Sequence, residues 1–202
     1  MESKKYLEDI SEIKNLMNRS SRFISLSGLS GIMAGIYALI GAFIAYRLVS
    51  SSERGYLILD GEIFRLVLID LLAVAILSFF TAIYLTTHKA RKNGEKIWDA
   101  SSKRLLINFL IPLITGGIYI LLILDQGQYG ETASLMLIFY GLALVNASKY
   151  TLSNIRYLGF IEIILGLICT AIPGYGFWLW VLGFGILHII YGIIMYIKYD
   201  RQ

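Results

Sequence analysis

The sequence predicts an all-α fold, a polytopic membrane bundle of six transmembrane helices arranged as three helical hairpins and preceded by an amphipathic cytoplasmic helix. Three observations lead there. Hydrophobic residues make up 57% of the 202 and charged residues 16%, with a mean hydropathy of +0.68, whereas soluble domains carry charge nearer a quarter. Six apolar runs occupy most of the chain, at about 23–49, 63–87, 105–124, 133–147, 157–172 and 175–197, against about 20 residues needed for a crossing. The charges fall almost entirely between these runs.

The fourth and fifth runs are short and the sixth is long, so their tilts must differ. The first 22 residues are polar, and the run after them is too long for a signal-peptide core and has no small-residue cleavage site. It is expected to be retained as a helix opening a transmembrane domain over 23–199. Cys169 is the single cysteine and reads as a small apolar residue inside the fifth run. The chain is basic, with a pI near 9.1, yet its cations flank apolar runs, so nucleic acid is excluded as a partner and the lipid bilayer takes its place.

Orientation follows from those cations. With the N-terminus inside, 15 of the 18 Lys and Arg are cytoplasmic, and only Arg47, Arg54 and Arg65 lie opposite. An even number of crossings then puts both ends in the cytoplasm of a bacterial inner membrane. Aromatic residues form two belts in this frame: Tyr46, Tyr56, Tyr129, Tyr175, Trp178 and Trp180 outside, and Tyr84, Tyr150, Tyr157, Tyr196 and Tyr199 inside.

In the arm at 1–22, Tyr6, Ile10, Ile13 and Met17 recur at helical spacing while Glu8, Asp9, Glu12 and Asn15 take the far face. Such a helix lies on the inner leaflet, packs on the basic loop at 88–104, or docks a cytoplasmic protein partner. The loop carries six cations and Trp98. Its His88 reads as a solvated residue at a helix C-terminus, since no second ligand is spaced to join it. No metal or cofactor is implied.

Packing is written in small residues. Ser27, Gly31 and Gly35 form one every-fourth row in the first run, and Ala34, Ala38 and Ala42 another. Rows of this kind let helix backbones approach closely where lipid supplies no hydrophobic drive, which predicts a central first helix. Gly159 and Gly166 repeat the seven-residue spacing of Gly28 and Gly35, and Gly116, Gly117, Ile118 and Tyr119 echo Gly35, Ile36 and Tyr37. Runs 1 with 2, 3 with 4 and 5 with 6 thus read as divergent copies of one hairpin.

The last hairpin, with Pro173 and Gly174 at its turn and Gly183, Gly185 and Gly192 along the return helix, resembles the repeat of HdeD-type acid-resistance membrane proteins of bacteria. The stretches SSRFISLSGLSGIMAG, YGLALVNASKYT and GFGILHIIYG resemble those of uncharacterised six-span membrane proteins of Bacteroidota-type bacteria. These resemblances imply six spans and a role in stress response or membrane maintenance. They bring no catalytic residue.

Four polar side chains fall within the runs and call for partners. Asn108, Asn146, Glu162 and His188 all sit in the cytoplasmic half or near the midplane, at about 1.5 Å of rise per residue. Measured from the turn at 173–176, Glu162 and His188 reach nearly equal depth on neighbouring antiparallel helices, so a hydrogen bond between them is geometrically available. Three readings stay open: a ligand or proton site, structural glue with His188 bonded to a tyrosine such as Tyr191, and catalysis. Asp70 is expected to snorkel or to pair with Arg65, and Pro112 to kink the third helix near the cluster.

The function class that fits is a non-enzymatic integral inner-membrane protein with an arm available for regulation. A transporter component is the alternative, since Ala34 and Ala38 resemble the Ala-x-x-x-Ala row of the six-span substrate-binding subunits of energy-coupling-factor importers. An intramembrane lipid-modifying enzyme is a further alternative that lacks the His and Asp cluster it would need. A homo-oligomer is compatible with all three.

Overall fold

The computed structural model of the protein describes Phe23 and residues 25–50, 61–94 and 97–200; the predicted arm at 1–22 lies outside them. Among the described residues there is no strand. Helices run as α1 (Gly28–Ser50), α2 (Glu62–Lys92), α3 (Ala100–Asp125), α4 (Thr132–Ala147), α5 (Ile155–Ala171) and α6 (Gly176–Asp200), the last containing π-helical turns at Val181–Leu187 and Tyr196–Asp200. By length and composition α1, α2, α3 and α6 are long enough and apolar enough to cross a membrane, and α4 is a shorter apolar helix.

Helix ends depart from the apolar runs where capping chemistry intervenes. Phe23 and residues 25–27 are not helical, against the expectation of a span starting at 23. Phe23 N–H donates to the Tyr150 carbonyl at 2.8 Å and Thr151 Oγ1 donates to the Phe23 carbonyl at 2.6 Å, so this segment is tied to the α4–α5 connection. The α1 N-terminus is capped from the far end of the chain. Asp200 Oδ2 accepts from Gly28 N–H at 3.0 Å and from Ser27 Oγ at 3.2 Å, while Lys89 bridges Asp200 and the Leu26 carbonyl. Asp200 is therefore the cap of α1, and Ser27, just before the helix, is a donor to it.

The loop expected over 88–104 is mostly helix. α2 continues through Lys89, Arg91 and Lys92, cations favoured at a helix C-terminus, and α3 starts at a capping box in which Asp99 accepts from Ser102 N–H at 2.7 Å and Ser102 Oγ accepts from Asp99 N–H at 2.9 Å. Hydropathy marks where lipid-facing residues stop, which is not where backbone bonding stops. α3 closes with a Schellman turn: Gly127, at φ +77°, donates to Leu124, and Gln128 donates to Ile123.

Helices α1, α2 and α6 pack as one group and α3, α4 and α5 as another, with α4 and α5 the most intimate pair. The two groups meet along a seam where α6 faces α4 and α5. The central helix is α4, not α1: Leu142 is its single exposed residue, whereas the apolar stretch of α2 has no buried residue at all. A helix sheathed by protein can be short, which accounts for the brevity of α4. The large exposed apolar surface on α2, α3 and α5, with Phe80 and Leu121 each about two-thirds exposed, is compatible with a membrane protein and incompatible with an ordinary water-facing surface.

Candidate functional site

The seam carries the buried polar residues. Glu162 on α5 is fully buried and His188 on α6 is 5% exposed; His188 Nδ1 lies 3.5 Å from Glu162 Oε1. The closer partner of Nδ1 is the Gly183 carbonyl at 2.9 Å, and Nε2 lies 2.7 Å from Tyr140 Oη on α4. A carbonyl only accepts, so Nδ1 carries the proton, and in the neutral ring Nε2 then accepts from the Tyr140 hydroxyl. His188 is satisfied at both nitrogens. Glu162 is not: neither of its oxygens has a hydrogen-bond partner among the described residues.

The local fold explains how this carboxyl is accommodated. Val181–Leu187 is π-helical, a wider turn often found at functional sites, and the His188 ring folds back onto the carbonyl five residues earlier. Gly183 leaves the notch that Glu162 fills, since a Cβ there would stand 2.5 Å from Glu162 Oε2 and 2.6 Å from Leu137 Cδ2. Leu137 is itself fully buried, and Phe184 stacks on the His188 ring at 5.8 Å and 15°. Two clefts open along the seam, but neither is lined by Glu162 or His188. One of about 290 Å³ lies between α5 and α6 near Tyr157 and Tyr191, and one of about 270 Å³ lies at the opposite end of the bundle.

Of the four polar residues singled out in the sequence, Glu162 and His188 come together and the two asparagines do not join them. Pro112 lies inside α3 and has no N–H for the carbonyl four residues back, which belongs to Asn108. Asn146 Nδ2 donates to that carbonyl at 2.9 Å, while Asn108 Nδ2 turns to the Arg104 carbonyl at 2.8 Å. Asn146 thus re-satisfies the backbone that Pro112 interrupts, a known way of tolerating proline in membrane helices. This is structural work.

The small-residue rows do pack, on partners other than those the hairpins suggest. A Cβ on Gly31 would meet Gly192 Cα at 3.2 Å and one on Gly35 would meet the Gly185 carbonyl at 2.6 Å, so α1 closes on α6. Ala38 and Ala42 are buried against Trp180, and Ala34 is half-buried. Gly159 and Gly141 interlock across α5 and α4, and Gly166 sits on the Ser134 carbonyl.

Three expectations need correction. His188 bonds Tyr140 and not Tyr191, whose hydroxyl is buried with no partner among the described residues. Trp180 is no interfacial anchor: it is 8% exposed, packed on Phe184, and its Nε1 has no partner among the described residues. Asp70 forms no ion pair with Arg65; it faces α1, its oxygens 3.2 and 3.5 Å from where a Gly41 Cβ would stand. Tyr140 escaped the sequence reading, and Gly183 entered it only as a glycine of the last hairpin, because a tyrosine or glycine in an apolar run carries no signal of its neighbour. Among the described residues no three of His, Cys, Asp and Glu gather as a metal site would require. Comparison with protein-family models, curated proteins and solved structures found no match for this chain.

Proposed function

We propose that this chain is a non-enzymatic, six-span protein of the bacterial inner membrane with both termini in the cytoplasm, and that its seam is a proton-linked element serving stress response or membrane maintenance. The observation that carries the reading is the Glu162 carboxyl, sealed at the seam with no donor for either oxygen among the described residues, beside a histidine whose one ring N–H is already committed to Gly183. A group left unsatisfied in this way calls for a specific explanation. A neutral carboxyl is tolerated in such a place, whereas an ionised one demands donors. Losing the proton then requires His188 to turn from Gly183 toward Glu162, or the seam between the two helix groups to admit water. Proton occupancy and seam geometry are coupled in either case.

The six crossings rest on α4 and α5 spanning beside the four longer helices, tilted less and shielded by their neighbours, and the orientation rests on the 15 to 3 division of cations. The HdeD-like last hairpin supports an acid-stress setting. The transporter reading has weaker support, because neither cleft reaches Glu162 or His188. The test is hydrogen exchange of α5 and α6 peptides across pH in lipid nanodiscs, comparing wild type with Glu162→Gln. Protection at the seam, after correction for the intrinsic pH dependence of amide exchange, is expected to vary with pH in wild type and to be flat in the variant. A pH-independent seam in wild type, or identical profiles in the two proteins, refutes the proposal.

A further inference from the structure

The segment leading into α1 joins one helix group to the other at the end of the bundle that holds Asp200. Phe23 and residues 25–27 are not helical, yet Phe23 is 6% exposed and Ser25 has no exposed surface. Irregular backbone is ordinarily left at the surface, because buried N–H and C=O groups need partners. Here the partners come from both helix groups. On one side Phe23 is bonded through its N–H to Tyr150 and through its carbonyl to Thr151, a fully buried side chain of the α4–α5 connection. On the other, Lys89 of α2 donates to the Leu26 carbonyl at 3.1 Å and pairs with Asp200 of α6, which also accepts from Ser27 Oγ and Gly28 N–H. Between the two fastenings, Leu26 lies on an apolar cluster built from both groups, with Leu144, Leu152, Ile155 and Leu158 from one and Met195 from the other. Tyr140 packs on the same cluster, and it is the residue that bonds His188.

We infer that Phe23 and residues 25–27 form a strap that holds this end of the seam shut, fastened by Thr151 on one helix group and by Lys89 and Asp200 on the other, and that freeing the strap opens the seam around Glu162. As regulation of a proton-linked seam, the strap rests on the function proposed above; as a lock, it rests on its bonds alone. The seam is already loosest beneath it. The cleft of about 290 Å³ between α5 and α6 is lined by Leu158 of the cluster and by Leu187 and Tyr191, which pack against it. The bonds from Thr151 and Lys89 to the strap end on carbonyls outside any helix, so releasing them leaves the backbone ladders of α1, α2 and α4–α6 whole. The arm at 1–22 continues straight into Phe23, so a pull on the arm reaches the strap before it reaches a helix of the bundle.

The test is hydrogen exchange of the full chain in lipid nanodiscs, comparing wild type with Thr151→Val, which nearly keeps the shape of the side chain and removes its hydroxyl. At one fixed pH, peptides over 155–162 and 188–195 should lose about fivefold in protection, the worth of one hydrogen bond, while α3 and the α1–α2 pair keep theirs. The pH at which the seam loses protection, corrected for intrinsic exchange, should also fall. A fivefold easier opening moves it down by about 0.7 pH unit, because ionised Glu162 belongs to the open seam. His188 of α6 and Tyr140 of α4, which face Glu162, are untouched by the substitution. Unchanged seam protection in Thr151→Val, a loss spread evenly through the bundle, or a midpoint that stays in place while wild type responds to pH overturns the inference. A wild-type seam indifferent to pH refutes the proposed function instead; the local loss at fixed pH then upholds the lock, and its absence overturns it. Should Thr151→Val fail to fold, Lys89→Gln loosens the other fastening and the same comparisons decide.

Discussion

Replacing Glu162 by methionine should stabilise the protein. Substitutions at fully buried positions ordinarily destabilise, so the sign alone is informative. Glu162 has no exposed surface, and neither carboxyl oxygen meets a donor among the described residues. Its removal therefore breaks no hydrogen bond, while it relieves the desolvation of a polar group held away from water, about 1–3 kcal/mol. Methionine keeps the length of the side chain and fills the notch left by Gly183, so no cavity opens beside Leu137. The opposing loss is the 3.5 Å approach to His188 Nδ1, which is small because that N–H is already spent on Gly183. A net gain of about 1–2 kcal/mol remains, or roughly 2–4 °C in melting temperature per kcal/mol for a chain of this size. The assay is thermal or denaturant unfolding in a single detergent, followed by tryptophan fluorescence. A loss of 2 kcal/mol or more, the range of a core cavity, would show that Glu162 is bonded and that the seam is ordinary structural glue. Stabilisation joined to loss of the pH-dependent exchange described above is the pattern expected of a residue kept for function at a cost in stability.

Asn146→Leu should destabilise by about 1–2 kcal/mol by orphaning the Asn108 carbonyl, and Pro112→Ala, which returns an N–H to that carbonyl, should remove most of this effect in a double-mutant cycle; additive losses contradict the pairing. Gly159→Ala places a Cβ 2.7 Å from the Gly141 carbonyl, forcing α4 and α5 apart at a cost of about 1–3 kcal/mol, so unchanged unfolding would mean that the two helices are not interlocked. In a Cys169→Ala background, Gln128→Cys should react with an impermeant maleimide in intact cells and Asn93→Cys only after permeabilisation. The reverse pattern would invert the orientation proposed from the cations.

The division between what sequence and tertiary structure decide runs residue by residue. Helical character, the apolar runs and the asymmetry of Lys and Arg are local properties, because an apolar segment in lipid must satisfy its own backbone and can do so only as a helix. The equal depth of Glu162 and His188 was also legible, since both are counted from one turn at Pro173 and Gly174. Neighbour relations were not. Gly28, Gly31 and Gly35 announce a close helix contact without saying that the partner is α6, and Gly159 and Gly166 announce one that proves to be α4. Small-residue rows specify approach and not identity, so they leave open which helices share a seam.

The same limit explains the polar residues. Asn146 in an apolar helix looked like a site until Pro112 on α3 supplied a carbonyl for it; Asp70 looked spoken for until the fold turned it toward Gly41 and away from Arg65. From sequence alone came a chain of apolar helices with its charges gathered between them, because partition between lipid and water depends on each segment by itself. The choice of helix partners and the unsatisfied carboxyl at the seam were decided only by the folded bundle, because a buried polar group takes its meaning from the atoms packed against it.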